Sequence, residues 1–387
     1  MNDDSLDALS ELLSGSADLL DIPPETRDAA VGKYQDVGNF LADTGGEDWD
    51  IYPQGSFLTG TVIRPPTSCE YDIDLVCRHL VEKSSTTQDK LKELVGGWLA
   101  EYHAFKLATQ ADEAPDKFLE KRRCWTFSYE RLGFHLDVLP CIPDAELKTS
   151  PHGILLTDTK LRPWQHGNPT GYATWFRNRS EEMLTKIAKR ALEANVADVP
   201  NWTVRSTLQR LVQVLKWHCY LHFGTDVDDR PPSILITTLA AHAYQGQSNL
   251  ANALLSVTQD MDSYIEKDTN GNYEVLNPAH PRENFTDKWN EADTAHRQGK
   301  FRSWLDIARR DLELVYQHQG DGIPALVDRL GEVFERDVIV KSAENWGADV
   351  RTTTSNRKLM VARGVAGLTT AGSRTATLPT FYGREYR

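Results

Sequence analysis

Residues 1–168 alternate short extended runs with helical ones, residues from about Pro169 to 350 carry nearly unbroken helical periodicity, and a Thr-, Gly- and Arg-rich stretch follows. These three observations predict an α+β chain: an α+β lobe over 1–168, a helical lobe over 169–350 and a flexible basic tail over 351–387. At 387 residues the chain can fill two packed domains, at about 150 residues for each.

The elements follow in order. A short first helix precedes Pro23 and Pro24, which open a second helix running to about Ala42, with Val31, Tyr34, Val37 and Phe40 or Leu41 on one face. The N-terminal helices are expected to pack against the helical lobe. The turn Thr44 to Glu47 ends the second helix, and extended runs are expected at Asp50–Tyr52 and Glu70–Cys77, then a helix over Gln88–Phe105. Cys124–Tyr129 and Phe134–Pro140 flank the turn Arg131, Leu132, Gly133 and predict an antiparallel hairpin. In the second half, Ser180–Asn195, Val204–Phe223, Pro232–Gln245, Leu250–Ile265, Gly299–Gln317 and Ile323–Arg336 carry helical spacing. One interruption, Asp268–Leu276, holds the turn pair Asn270 and Gly271.

Composition narrows the function. Apolar residues at 40% and charged residues at 26% describe an ordinary globular chain. The net charge of −13 excludes a protein that coats nucleic acid non-specifically, because such binding runs on Lys and Arg. The charge is uneven: residues 1–350 sum to −19 and the tail to +6. No long apolar stretch and no basic-then-apolar leader is present, so a cytoplasmic protein without membrane contact is expected. Five scattered cysteines without a C-x-x-C pair read as reduced thiols.

The chemistry begins at Glu70-Tyr71-Asp72-Ile73-Asp74-Leu75-Val76. On a strand Asp72 and Asp74 leave the same face about 7 Å apart at the root. At an effective dielectric of about 20 they repel by roughly 2 to 3 kcal/mol, a cost that a divalent cation removes. Asp137, in Phe134-His135-Leu136-Asp137-Val138-Leu139-Pro140, is the third candidate ligand, and three hard oxygens on rigid strands suit Mg²⁺. An Asp-x-Asp pair alone more often marks a solvated strand face. Gly55 and Ser56, ahead of it in Gln54-Gly55-Ser56-Phe57, add a backbone that can approach a phosphate closely and a hydroxyl donor.

In that order the motifs resemble the bacterial cyclic-oligonucleotide synthases (CD-NTases) related to cyclic GMP–AMP synthase and oligoadenylate synthase, within the polymerase β-like nucleotidyltransferases. The resemblance extends through Leu215-Lys216-Trp217-His218, Pro232-Ser233-Ile234-Leu235, Thr237, Thr238, Asn277-Pro278, Glu283-Asn284 and Trp289, about residues 30 to 310. It implies a polymerase β-like catalytic lobe with a mixed sheet and an oligoadenylate-synthase-like helical lobe. It further implies that Asp72, Asp74 and Asp137 hold two Mg²⁺ or Mn²⁺ ions and that Asp137 helps activate the attacking ribose hydroxyl. Gly55, Ser56, Lys216 and Ser233 would grip the triphosphate. The product would be a cyclic di- or trinucleotide made from ATP and other nucleoside triphosphates, used as a second messenger in antiphage defence. A regulatory protein acting on the C-terminal tail is a further implication, with Leu378–Tyr382 as a docking peptide. The same site could instead transfer a nucleotide to a protein, an RNA end or a small molecule, and a catalytically dead scaffold would have lost one of the aspartates.

Asn168, by its paired donor and acceptor, or Tyr172, by stacking, is expected to contact a nucleobase, although a linker turn with a helix start at Pro169 is the other reading. His218 and His222 have zinc spacing, but Cys219 stands where a zinc protease motif needs glutamate. Gly320 to Ala325 fits a relaxed dinucleotide fingerprint but follows a helix, and no P-loop is present.

Overall fold

Apolar side chains alternate along Tyr71–His79 so that Ile73 and Leu75 face a core while Asp72 and Asp74 face away, which is the period-two pattern of a strand covered on one side. This strand, β2, lies inside the sheet in the computed structural model, which describes residues 3–64, 70–160, 163–180 and 205–355 and three two-residue strands beyond them. The sheet runs β1-β2-β5-β4-β3, with β1 Trp49–Gln54, β3 Lys117–Glu120, β4 Trp125–Tyr129 and β5 Phe134–Pro143. β2 and β5 are parallel and the other pairs antiparallel, so the sheet is mixed, as expected. The first half of β5 pairs with β4; its second half pairs with β6 (Ile154–Leu156), which pairs in turn with β7 (Gln165–Gly167). β3, β6 and β7 carry no clear alternation and escaped the sequence analysis.

Two helices cover the inner face. α2 (Pro24–Gly45) buries Tyr34, Val37 and Leu41, and α4 (Gln88–Thr109) buries Leu91, Val95, Leu99 and Tyr102 at helical spacing against Ile51, Ile73, Phe127, Leu136 and Val138. Thr87 caps α4 by accepting from the Lys90 amide at 3.3 Å. Between β1 and β2 lies the one-turn helix α3 (Gly55–Thr59).

The helical half contains α5 (Pro169–Arg179), α6 (Thr207–Phe223), α7 (Ser233–Ala243), α8 (Leu250–Asp260) and α9 (His296–Gln317). α6 is buried nearly all round, and Ser206 with Gln209 closes its start in a reciprocal capping box. The interruption at Asp268–Leu276 is a hairpin, β8 (Glu266–Lys267) with β9 (Tyr273–Glu274), turned at Gly271; a second pair, β10 (Leu276–Asn277) and β11 (His280–Asn284), follows. The expected helix Ser180–Asn195 lies outside the described residues.

By its internal contacts the chain divides into Leu20–Arg310 and a second unit of Met1–Leu19 with Asp311–Arg387. Every site residue lies in the first. In the second unit α1 (Asp3–Leu20) approaches α11 (Arg336–Ser355) so closely that a Cβ on Gly15 would stand 2.5 Å from Ser342 Oγ. The expected helix Ile323–Arg336 ends at Val333 as α10, and Phe334–Glu335 breaks it before α11, which reaches Ser355. Gly320–Gly322 is the loop between α9 and α10, as its sequence context required. Residues 378–382 of the tail lie outside the described residues. No helix of the described residues is long and apolar enough to cross a membrane. Cys77, Cys124, Cys141 and Cys219 are free thiols, and Cys69 lies outside the described residues.

Candidate active site

Parallel pairing of β2 with β5 sets Asp74 opposite Asp137, and Asp72 leaves the same face two residues earlier. Three carboxylates thus converge on the open face of the sheet. Burial pushes the Asp74 carboxyl up to about 8, and the charges of Asp137 and Asp72 add to the shift against the opposing Lys216 and Lys121. Charging all three carboxylates together is therefore costly without a nearby positive charge. Thr126, opposite Asp137 on β4, donates its hydroxyl to Asp137 Oδ1 at 2.5 Å and fixes that side chain. His135 sits opposite Asp72, with Nδ1 3.6 Å from it and Nε2 2.5 Å from Glu70 Oε2; chiefly through Asp72, its ring is held above the ordinary range.

Gly55 follows β1, whose last residue Gln54 pairs with Asp74. Its φ of +67° lies in the left-handed region, and a Cβ would fall 2.0 Å from Asp74 Oδ2. Only glycine meets both demands. Ser56, next in α3, lines the cavity in front of the aspartates.

The segment after α3 is held from the helical side. Gln209 Nε2 donates to the Thr59 carbonyl at 2.9 Å, Gln213 Nε2 to Val62 at 2.8 Å and Lys216 Nζ to Thr61 at 2.8 Å. These residues recur at spacings of four and three along one face of α6 and are all buried. Lys216, with its ammonium beside the aspartates, is pulled down to about 8 by burial against the opposing pull of Asp72 and Asp74. Ser233 starts α7 at the cavity wall, hydrogen-bonded to Tyr220. Arg230 lies over the Tyr220 ring at 4.1 Å with one buried guanidinium nitrogen unpaired.

Gly55, Ser56, Asp72, Asp74, Lys216, Tyr220, Arg230 and Ser233 line one cavity of about 920 Å³. That is at the upper end of the range of about 300–1,000 Å³ usual for ligand sites. Its other wall is made by β7 and β11. Asp144, just past β5, clamps that wall: its Oδ2 accepts from His166 Nδ1 on β7 at 2.7 Å and from His280 Nε2 on β11 at 2.9 Å. The three side chains lie close enough for a metal. However, the Arg282 amide donates to His280 Nδ1 at 3.3 Å, which leaves the proton of a neutral ring on Nε2, pointing at Asp144. Hydrogen bonding, not ligation, accounts for this cluster.

Asn168 has a different task from the base contact expected of it. It is 2% exposed, caps α5 by accepting from the Gly171 amide at 2.8 Å, and gives Nδ2 to Ser150 Oγ and the Pro151 carbonyl at 2.9 Å. Its amide is spent on structure, and it does not line the cavity. Tyr172 does line the cavity, but it is 4% exposed, with its hydroxyl on Thr238 at 2.9 Å. Missed in the sequence were Thr126, Gln209, Gln213 and the Asp144 clamp, and Glu283, though part of the motif Glu283-Asn284, was given no role. Only the polar stripe on an otherwise apolar α6 left a readable signal.

Residues 50–140 match the family model "Cyclic GMP-AMP synthase DncV-like, nucleotidyltransferase domain". The chain is 26% identical over 357 residues, 90% of each protein, to a c-di-GMP synthase of Roseivirga ehrenbergii. Its fold superposes on the Bradyrhizobium diazoefficiens CD-NTase CdnG in complex with GTP with a TM-score of 0.65 at 22% identity, over 88% of this chain and 99% of that one. The CdnC of E. coli MS115-1, in its complex with HORMA-deltaN, matches with a TM-score of 0.55 at 14% identity, over 81% and 93%.

Proposed function

We propose, from its place among the CD-NTases, that this nucleotidyltransferase joins guanosine triphosphates into a cyclic dinucleotide and releases pyrophosphate. The observation that carries the reading is the trio Asp72, Asp74 and Asp137, set by parallel strand register on one open face and fronted by Gly55. The names of the relatives, a c-di-GMP synthase and a GTP-bound CdnG, support guanine as the base.

The trio fits Mg²⁺ or Mn²⁺: oxygen donors on adjacent strands, one of them raised by burial and then by its neighbours' charge. Bound there, the cation supplies charge neutralisation to the triphosphate and to the leaving pyrophosphate. The chain's own residues do the positioning that phosphoryl transfer mostly requires. Gly55 admits the phosphates beside Asp74, Ser56 and Ser233 offer hydroxyl donors, and Lys216 brings a positive charge from α6. A ribose hydroxyl oxygen forms a bond to the α-phosphorus while the bond from that phosphorus to the β-bridging oxygen breaks. Asp137, fixed through Oδ1 by Thr126, receives the hydroxyl proton. A second transfer of the same kind closes the ring.

In this reading the product is a second messenger in antiphage defence, made in the cytoplasm, and a protein partner acts on the C-terminal tail. Purified protein incubated with Mg²⁺ and all four labelled triphosphates, alone and with candidate activators, tests the chemistry by mass spectrometry. A phosphatase-resistant cyclic guanine dinucleotide is expected; label passing instead into a macromolecule or small acceptor refutes cyclisation. Truncation at Val350 that leaves both activity and partner recovery unchanged refutes the role of the tail.

A further inference from the structure

Glu283 is a carboxylate on the wall opposite the aspartates, and the mechanism above makes no use of it. It lines the cavity from β11, half-buried, lying over Gly167 of β7, where a Cβ would come within 3.6 Å of Oε2. Asn277 Nδ2 donates to Oε2 at 2.6 Å, and the Asn168 amide is a second donor. The orientation of Asn277 is fixed, because its Oδ1 is taken by the Ala279 amide at 2.8 Å. Among the described residues no lysine or arginine pairs with Glu283; the nearby Arg123 is turned to Asp158 and Asp287 at 3.6 and 3.8 Å. The carboxylate is therefore held rigidly, lines the ligand space and, although Arg123 is near enough to favour its charge, has no ion pair among the described residues.

A bare carboxylate repels phosphate, so the part of a nucleotide it meets must offer hydrogen-bond donors. The register places it far from the phosphate end. Asp137 pairs with Asp74, whereas Pro143, six residues further along β5, pairs with Ile154 and through it with Gly167. Six residues of strand span about 20 Å. Guanine presents two parallel donors on its pairing edge, N1–H and the N2 amino group, which match a carboxylate as a guanidinium does. Adenine presents one donor beside a lone pair, and the lone pair would meet the carboxylate unfavourably.

We propose that Glu283 is the specificity-determining residue that selects a guanine base, by accepting from its N1–H and N2 amino group. This rests on the reading of the cavity as a nucleotide site. Burial pushes the Glu283 carboxyl up to about 7, and two added donors would stabilise its charged form.

Equilibrium binding of GTP, ITP and ATP to the full chain with Mg²⁺ tests it, ITP having N1–H but no N2 amino group. The wild-type protein is expected to prefer GTP to ITP and ITP to ATP. Glu283→Gln should weaken GTP binding about 10- to 100-fold, the size of one or two charge-assisted hydrogen bonds, and leave ATP binding unchanged or tighter. Equal loss for GTP and ATP would mean a ribose contact and overturn the assignment, as would a retained GTP preference in the variant. Equal affinity of the wild-type protein for GTP and ITP overturns it without any variant. The two readings fail separately: guanine selection without cyclic product sinks the proposed function alone, whereas cyclic guanine product of unchanged base composition from Glu283→Gln sinks this inference alone.

Discussion

Gly55 and Asp74 share a space that one methyl group would close: a Cβ on Gly55 would stand 2.0 Å from Asp74 Oδ2 and 3.0 Å from Cγ. The backbone at Gly55 and the central carboxylate of the trio are therefore one construction, made where β1 pairs with β2. Gly55→Ala must displace the carboxylate and strain a φ of +67°. Product formation should fall at least about 100-fold, as misplacement of reacting groups by an ångström does. A calorimetric melt should show the fold retained, and a variant with activity near wild type would refute the coupling.

Asp74→Asn and Asp137→Asn should each abolish product. Without divalent cation these variants should melt at or above the wild-type temperature: burial first and then the charges of Asp137 and Asp72 raise Asp74 to about 8, and Asp74→Asn removes the buried charge while Asp137→Asn removes one of the repelling ones. Adding Mg²⁺ should raise the melting temperature of the wild type and leave both variants unmoved. A Mg²⁺ shift that survives in them would place the ion elsewhere.

Gln209→Leu and Gln213→Leu test the stripe on α6. Each leaves a carbonyl of the segment after α3 without its donor, at a cost of about 1–3 kcal/mol in denaturant unfolding. Because that segment continues from Ser56, the KM for triphosphate should rise as well. Lost stability with unchanged KM would show a structural role only.

Asp144 bridges β7 and β11. Burial pushes its carboxyl up, but the bonds from His166, the Glu146 amide and His280 outweigh burial and hold it below the usual carboxylate range. A lowered folded pKa contributes stability that is present above the unfolded value near 3.8 and lost as pH falls through the folded one. Asp144→Asn should thus be destabilised at pH 7, by about 1–3 kcal/mol for buried donors left without their charged acceptor, with the gap to wild type narrowing below pH ~4. Denaturant midpoints across pH 3 to 8 measure it; a constant gap would deny the carboxylate its part.

Glu283 carries the opposite sign. Its carboxyl is raised to about 7 by burial, with Arg123 lowering it and Asp287 raising it. Without nucleotide the wild type should lose stability, relative to Glu283→Gln, as pH rises from the unfolded value near 4.5 through 7. The change is at most about 3 kcal/mol. Melting curves of both proteins at pH 5, 6, 7 and 8 should diverge, and parallel curves would refute the raised carboxyl.

The part of the site legible in the sequence is the part that local rules govern. Alternation along Glu70–Val76 and Phe134–Pro140 exposed two strands and three aspartates, and a glycine at a strand end marked the close approach. The wall opposite was not legible, since Asp144, His166, Glu283 and the amide of Asn168 meet only through the register of β5, β6 and β7 and a hairpin more than a hundred residues downstream. Asn168 shows the converse: its amide suits a base or a helix cap equally on paper, and packing against Ala279 and Ser150 decided for the cap. β6 and β7 are three residues long each, too short for any period to show.

β5 carries Asp137 on its first half, and Asp144 follows directly after its second. The reach from the phosphate end to the base end is therefore written into one extended strand, so that it serves as a ruler for the ligand. Lengthening it by two residues would preserve which side chains face the ligand yet move the far wall by about 7 Å. Such an insertion would leave each half chemically intact and leave no single nucleotide able to satisfy both.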